Sequence, residues 1–163
     1  MDNYQKSHKD KLFKTRPFDP YAIPLRPGGS ALCPQCGAVY HEGEWHPHGA
    51  NGLGPLESTV CPACRRIEDH AAAGQVRVSG RFVTTHEQEI RQLMQHAEQQ
   101  ERQTHVLERL IAIDCKDDEL LATTTGTHLA NRIGHELEAA YDGVCSYRYS
   151  DSERYLSVDW HRD

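Results

Sequence analysis

Large apolar side chains are scarce in this 163-residue chain: three Phe, two Trp and two Met, within a hydrophobic fraction of 37%. That leaves too little material for one large core, and it fits one ordinary domain or a small stapled module beside a small mixed domain. Long hydrophobic runs are also missing. The longest aliphatic stretch is Leu110–Ile113, far short of the ~20 apolar residues that cross a bilayer as a helix. The opening residues, MDNYQKSHKDKLFK, lack the apolar centre of a secretory signal. These absences predict a cytoplasmic protein without a membrane partner, in a compartment that keeps thiols reduced. No G-x-G-x-x-G, P-loop, G-x-S-x-G or H-E-x-x-H pattern occurs, which predicts a protein that is not an enzyme and has no small-molecule substrate.

What the chain does have is cysteine in a pattern. Four of its six cysteines form two matched pairs, Cys33-Pro-Gln-Cys36 and Cys61-Pro-Ala-Cys64, as C-x2-C-x24-C-x2-C. Disulfides, a redox dithiol and a metal site are the three readings. A reducing compartment disfavours disulfides. A thiol redox protein needs one CxxC beside a βαβ pattern, whereas here there are two pairs and no such pattern. Two thiolate knuckles facing each other suit a closed tetrahedral Zn2+ site, with Cys33, Cys36, Cys61 and Cys64 as ligands to one structural ion. His41, His46 and His48 lie between the pairs, so a histidine could replace one cysteine ligand. The intervening HEGEWHPHGANGLGPLEST has no apolar period and cannot fold around a core. Metal binding of roughly 10–16 kcal/mol would hold such a segment together. Cys115 and Cys145 fall in predicted strands and are expected to be small buried hydrophobes.

Composition divides the chain into four parts. Residues 1–30 read as a flexible, basic, Pro-rich arm, with Pro17, Pro20, Pro24 and Pro27 excluding regular structure. Residues 31–83 form the four-cysteine zinc module, ending in VRVSGRFV, a short strand or two. Residues 84–105 carry Ile90, Leu93, Met94 and Ala97 at helical spacing, with Thr84 and Glu87 as a capping box, and predict an amphipathic connecting helix. Residues 106–163 predict a small β-β-α-β-β antiparallel sheet domain. Its first hairpin turns at Asp117-Asp118. Its helix follows Thr123-Thr124-Thr125 and runs through Leu129, Ile133 and Leu137 to a stop at Gly143. Its last strand carries Leu156, Val158 and Trp160 on one face. The N-terminus of that helix could meet a phosphate or simply be capped locally. The expected class is therefore α+β: a zinc ribbon or knuckle module, a connecting helix, then the sheet domain.

The segments LCPQCGAVYHEGEW, CPACRRIEDHAAAGQVRVSG, ERLIAIDCKDDELLATTTGTHLANRIGHELEAAY and SVDW resemble a small bacterial zinc-knuckle family. More distantly, the double knuckle followed by a β-β-α-β-β unit resembles the front part of the archaeal and eukaryotic large-ribosomal-subunit export adaptor of the nonsense-mediated-decay-three type. That resemblance implies zinc on Cys33, Cys36, Cys61 and Cys64 and contact with the ribosome.

Charge bears on the partner. The first 27 residues carry +3 and the remainder −9. One reading is an RNA-proximal protein, associating with ribosomal RNA or the large ribosomal subunit. Its phosphate contacts would come from Lys11, Lys14 and Arg16 in the arm, Arg65 and Arg66 beside the second knuckle, and Arg77 and Arg81 further on. The alternative is a protein–protein adaptor that docks its acidic sheet domain onto a basic protein.

Overall fold

The computed structural model describes residues 19–22 and 29–163. The first sheet is small. β1 (Ala31–Leu32) lies between β2 (Val39–His41), antiparallel to it, and β4 (Glu57–Ser58), parallel to it; β3 (Glu44–His46) pairs with β2 at the edge. The β2–β3 hairpin turns on Glu42 and Gly43, both at positive φ, the backbone that lets two residues reverse a twisted pair of strands. Helix α1 (Pro62–Asp69) follows, with Cys61 as its N-cap and a left-handed His70 closing its end.

The second sheet is larger and mixed. It contains β5 (Gly74–Ser79), β6 (Leu110–Lys116), β7 (Glu119–Thr124), β8 (Val144–Tyr149) and β9 (Leu156–His161) in the order β6-β7-β5-β9-β8. β5 pairs antiparallel with β7 and parallel with β9. The segment from 106 onward therefore does not make an antiparallel β-β-α-β-β sheet by itself. Its two hairpins are joined by β5, which the sequence pattern had grouped with the cysteines. Alternation explains the placement: Val76 and Val78 are fully buried while Arg77 between them is exposed, as a half-covered strand requires.

Two helices cover one face of this sheet. α2 (Arg81–Glu101) buries Val83, Ile90, Met94 and Ala97, and α3 (Thr127–Ala140) buries Leu129, Ala130, Ile133 and Leu137. They pack onto Val76, Val78, Leu120, Ala122, Leu156, Val158 and Trp160. α2 starts three residues before the expected Thr84 cap. Thr84 donates its hydroxyl to the Arg81 carbonyl at 2.6 Å instead, and the helix bends at His86 (φ −123°). The chain enters α2 through Gly80, at φ +106°. A Cβ there would stand 1.9 Å from the Arg162 carbonyl oxygen, so only glycine lets the end of β9 pass this close.

Of the smaller expectations, one holds and others turn out differently. Asp117 and Asp118 form the β6–β7 turn as read, both at positive φ. Gly143 is not a left-handed helix stop; it leaves room for the Trp160 ring, whose atoms would lie 2.6 Å from an added Cβ. Cys145 is half-buried and Cys115 is exposed, because Cys115 sits at the outer end of an edge strand, beyond the cover of the helices. Among the described residues no helix is long and apolar enough to cross a membrane.

Candidate metal centre

The first cysteine pair sits on the turn after β1. There the Cys33 amide donates to the Ala38 carbonyl at 2.8 Å, and the Gly37 amide donates to the Cys33 carbonyl at 2.9 Å. Gly37 takes φ +78°, the left-handed step that folds the backbone behind Cys36. The second pair is placed differently from a bare knuckle. Cys61 is the N-cap of α1, Pro62 fills the first helical position and Cys64 the third. Proline is well suited there because that position has no intrahelical donor role and its φ is already helical.

The four sulfurs converge. One ligand atom from each of Cys33, Cys36, Cys61 and Cys64 lies within 4.8 Å of all the others, and Cys36 Sγ is 3.7 Å from Cys61 Sγ. A tetrahedron with Zn–S bonds of about 2.3 Å has edges of about 3.8 Å, so the donor set fits one ion of that size. Backbone amides point at the sulfurs as well. The Cys61 amide donates to Cys33 Sγ at 3.3 Å and the Cys64 amide to Cys61 Sγ at 3.4 Å. Such bonds favour thiolate, the form that ligates. The hydrogen bond from Cys61 brings the Cys36 thiol down to about 4, and the same bond pushes Cys61 up. Burial raises Cys64 to about 11. Hydrogen bonding within the cluster thus favours thiolate at Cys36, and an entering cation would displace protons from the other sulfurs.

The histidines stand apart from the cluster. His41 and His46 stack on each other at 4.0 Å on β2 and β3, and His48 is exposed. Among the described residues, the cluster that could hold a metal consists of the four cysteines. Its surroundings are apolar: Ala38, Ala63 and Val106 are buried with it, and Trp45, Val60 and Leu107 pack around the edge. Val106 and Leu107 come from the segment that links α2 to β6, so the α+β body contributes directly to the cysteine cluster. Nothing in the cysteine spacing points to this contact; the only signal is a Val-Leu pair after a wholly polar run.

The cationic residues stand on separate elements. Arg65 is exposed on α1, its Nε donating to the Val60 carbonyl at 3.3 Å. Arg66 is committed elsewhere: it bridges Asp19 at 3.0 Å, donates to the Ala71 carbonyl and lies over the Tyr21 ring at 4.4 Å. Arg77 stands on the open face of the larger sheet with Glu119 and Asp159 each 4.0 Å away. Arg81 is exposed at the start of α2. Lys11, Lys14 and Arg16 lie outside the described residues. Within the expected arm, Asp19–Ala22 is described and packs on α1 through Arg66 and through the Tyr21 hydroxyl, 3.1 Å from Asp69.

Sequence reasoning also missed a charged seam beside the metal centre. Glu101 bonds His105 and Arg132, each at 2.9 Å. Burial works against its charge, but these bonds win and hold its carboxyl below the ordinary range. Glu108, with no such partner, is pushed up by burial. Its Oε2 accepts from the Leu129 amide at 2.9 Å. A carboxylate from a distant loop thus caps α3, where the local threonines do not; Gly126, the N-cap residue, has no side-chain bond to give. An added Cβ on Gly126 would lie 2.1 Å from Glu108 Oε1. The chain matches no protein-family model, no curated protein and no solved structure.

Proposed function

We propose that this chain is a zinc-stabilised, non-enzymatic adaptor that binds another protein. The observation that carries it is the convergence of Cys33, Cys36, Cys61 and Cys64 within 4.8 Å, in a cluster completed by Val106 of the α+β body. Four thiolates close the coordination sphere, so the ion would have no open position for a substrate or an activated water. Its role is to make a loop-rich module rigid and to fix that module against the sheet domain.

The partner is argued from charge. Beyond the first 27 residues the chain carries −9, and two of the four described arginines that pointed to RNA stand beside carboxylates, Arg66 at Asp19 and Arg77 between Glu119 and Asp159. The open face of the larger sheet mixes signs: Arg77 of β5, Lys116 of β6 and Arg148 of β8 stand among Asp114 of β6, Glu119 of β7 and Asp159 of β9. One aromatic side chain, Tyr155, reaches it, with its hydroxyl donating to Gln75 Oε1 at 3.1 Å. The net negative charge of the body as a whole suits a basic protein better than a polyanion.

Association with ribosomal RNA or the large subunit rests on the resemblance of the cysteine segments and on the exposed Arg65 and Arg81. One experiment separates the two. Native mass spectrometry of the purified protein should find one zinc ion, lost in Cys61→Ser. The tagged protein in a lysate should then sediment with a partner that ribonuclease does not release. A metal-free wild type with reduced thiols would remove the zinc reading. Co-migration with the large subunit that ribonuclease abolishes would replace the adaptor with the ribosomal reading.

A further inference from the structure

The four sulfurs of the metal centre differ in how far solvent reaches them. Cys33 and Cys61 are 1% exposed and Cys64 5%, whereas Cys36 is only partly buried. Position along the chain explains the contrast. Cys61 and Cys64 flank the start of α1, where Pro62 and Ala63 are buried as well. Cys33 is tied through its amide to the buried Ala38. Cys36 instead stands on its turn between the exposed Gln35 and Gly37.

The Cys36 sulfur is 3.7 Å from that of Cys61, which belongs to the other pair. A thiolate within reach of solvent thus has a buried sulfur of a different segment beside it. Oxidants select the accessible thiolate, and a neighbouring cysteine resolves the product as a disulfide. The cluster also transmits its state. Val106 is buried in it and Leu107 packs at its edge. Withdrawing sulfurs from the site therefore acts on the segment that leads to Glu108, the cap of α3.

We propose that Cys36 makes the metal centre a redox switch: a peroxide oxidises it, a Cys36–Cys61 disulfide forms, and the donor set falls to Cys33 and Cys64. This deepens the zinc-stabilised reading and rests on it. The Cys36 thiolate attacks one peroxide oxygen; the S–O bond forms, the O–O bond breaks, and the departing hydroxide takes a proton to become water. The Cys61 thiolate then attacks the resulting sulfenic acid. The S–S bond forms, the S–O bond breaks, and a second hydroxide takes a proton. Two thiolates, one hydrogen peroxide and two protons thus give one disulfide and two waters. Two remaining thiolates do not close a tetrahedral zinc site. Exchange with a dithiol reductant reverses the oxidation and restores all four donors.

The test treats the full-length zinc-loaded protein with hydrogen peroxide in the absence of reductant. A chromogenic chelator follows zinc release, and mass spectrometry of acid-quenched digests maps the disulfide. The expected result is zinc release in step with a Cys36–Cys61 bond, with dithiothreitol and added zinc reversing both. Cys36→His keeps a ligand but removes the accessible thiolate, so its release should be at least about tenfold slower. Cys64→His, at a buried position, should stay within about twofold of wild type. The disulfide mapped in wild type decides alone should a histidine variant fail to load zinc. A first product joining Cys33 to Cys36 with Cys61 free would overturn the proposal, as would equal slowing in the two variants. Zinc retained while the exposed Cys115 is oxidised would sink the switch and leave the structural site standing. A wild type that carries no zinc would remove both.

Discussion

Glu108 and Glu101 show how two carboxylates of one chain, seven positions apart, come to opposite ionisation behaviour. Glu101 has Arg132 and His105 within 2.9 Å; Glu108 has a single backbone amide and little water. The first is lowered and the second raised, and the consequences for stability have opposite signs. A raised carboxyl binds more protons folded than unfolded, so Glu108 contributes stability that is present below its unfolded value and lost as pH rises through its folded value. Glu101 contributes stability that is present above its unfolded value and lost as pH falls through its folded one. Glu108→Gln keeps an oxygen acceptor for the Leu129 amide and removes the titration. Urea denaturation across mildly acidic pH should therefore show Glu108→Gln gaining stability relative to wild type as pH rises toward neutrality. An unchanged profile would mean that Glu108 is as well solvated as a surface carboxylate.

At the scale of elements, the informative piece is β5. It forms ladders with both β7 and β9, and Val76 and Val78 lie under both helices. Without it the larger sheet separates into two hairpins, β6–β7 and β8–β9, and isolated hairpins are marginal at best in water. A fragment of residues 84–163 should therefore remain unfolded, whereas 71–163 should fold. Near-ultraviolet circular dichroism from the buried Trp160 reports the difference. A folded signal from 84–163 would show that the helices alone can organise the two hairpins. The same element explains why α2 begins before Thr84: Gly80 turns the chain directly off β5, and the helix starts as soon as the turn is complete.

For the whole molecule, the question is whether the metal module and the α+β body unfold separately. Cysteine spacing alone suggests that losing the metal would unfold residues 31–83 and spare the rest. Two features argue for coupling. Residues 74–79 belong to the larger sheet, and Val106 is buried in the cysteine cluster two residues before Glu108, the cap of α3. Chelation should release Val106 and Leu107 and with them the tether of Glu108. A loss of about 1 kcal/mol of support lowers the midpoint of a domain of this size by about 4–8 °C. Excess chelator should therefore lower the Trp160-monitored transition by at least several degrees, as should Cys61→Ser. An unchanged Trp160 transition beside a collapsed metal module would mean that the two parts are only tethered.

Much of this was legible from the chain alone, for reasons that lie in local chemistry. Two CxxC pairs specify a metal-type cluster because a two-residue spacing already aims both sulfurs one way. The stripes of α2 and α3, the Asp117-Asp118 turn and the buried face of β9 are written in short-range period and turn composition. Tertiary structure decided the rest, because it depends on pairings between residues far apart. Val76 and Val78 alternate like any short strand, and nothing local says that β9, some eighty positions away, lies parallel beside them. Glu108 is one more acidic residue until the fold brings it over Gly126. The arginines of residues 65–81 read as a basic group until Asp19, Glu119 and Asp159 meet two of them in space. Spacing along the chain determined which side chains form the four-cysteine cluster; desolvation and long-range pairing determined which charges remain unpaired among the described residues.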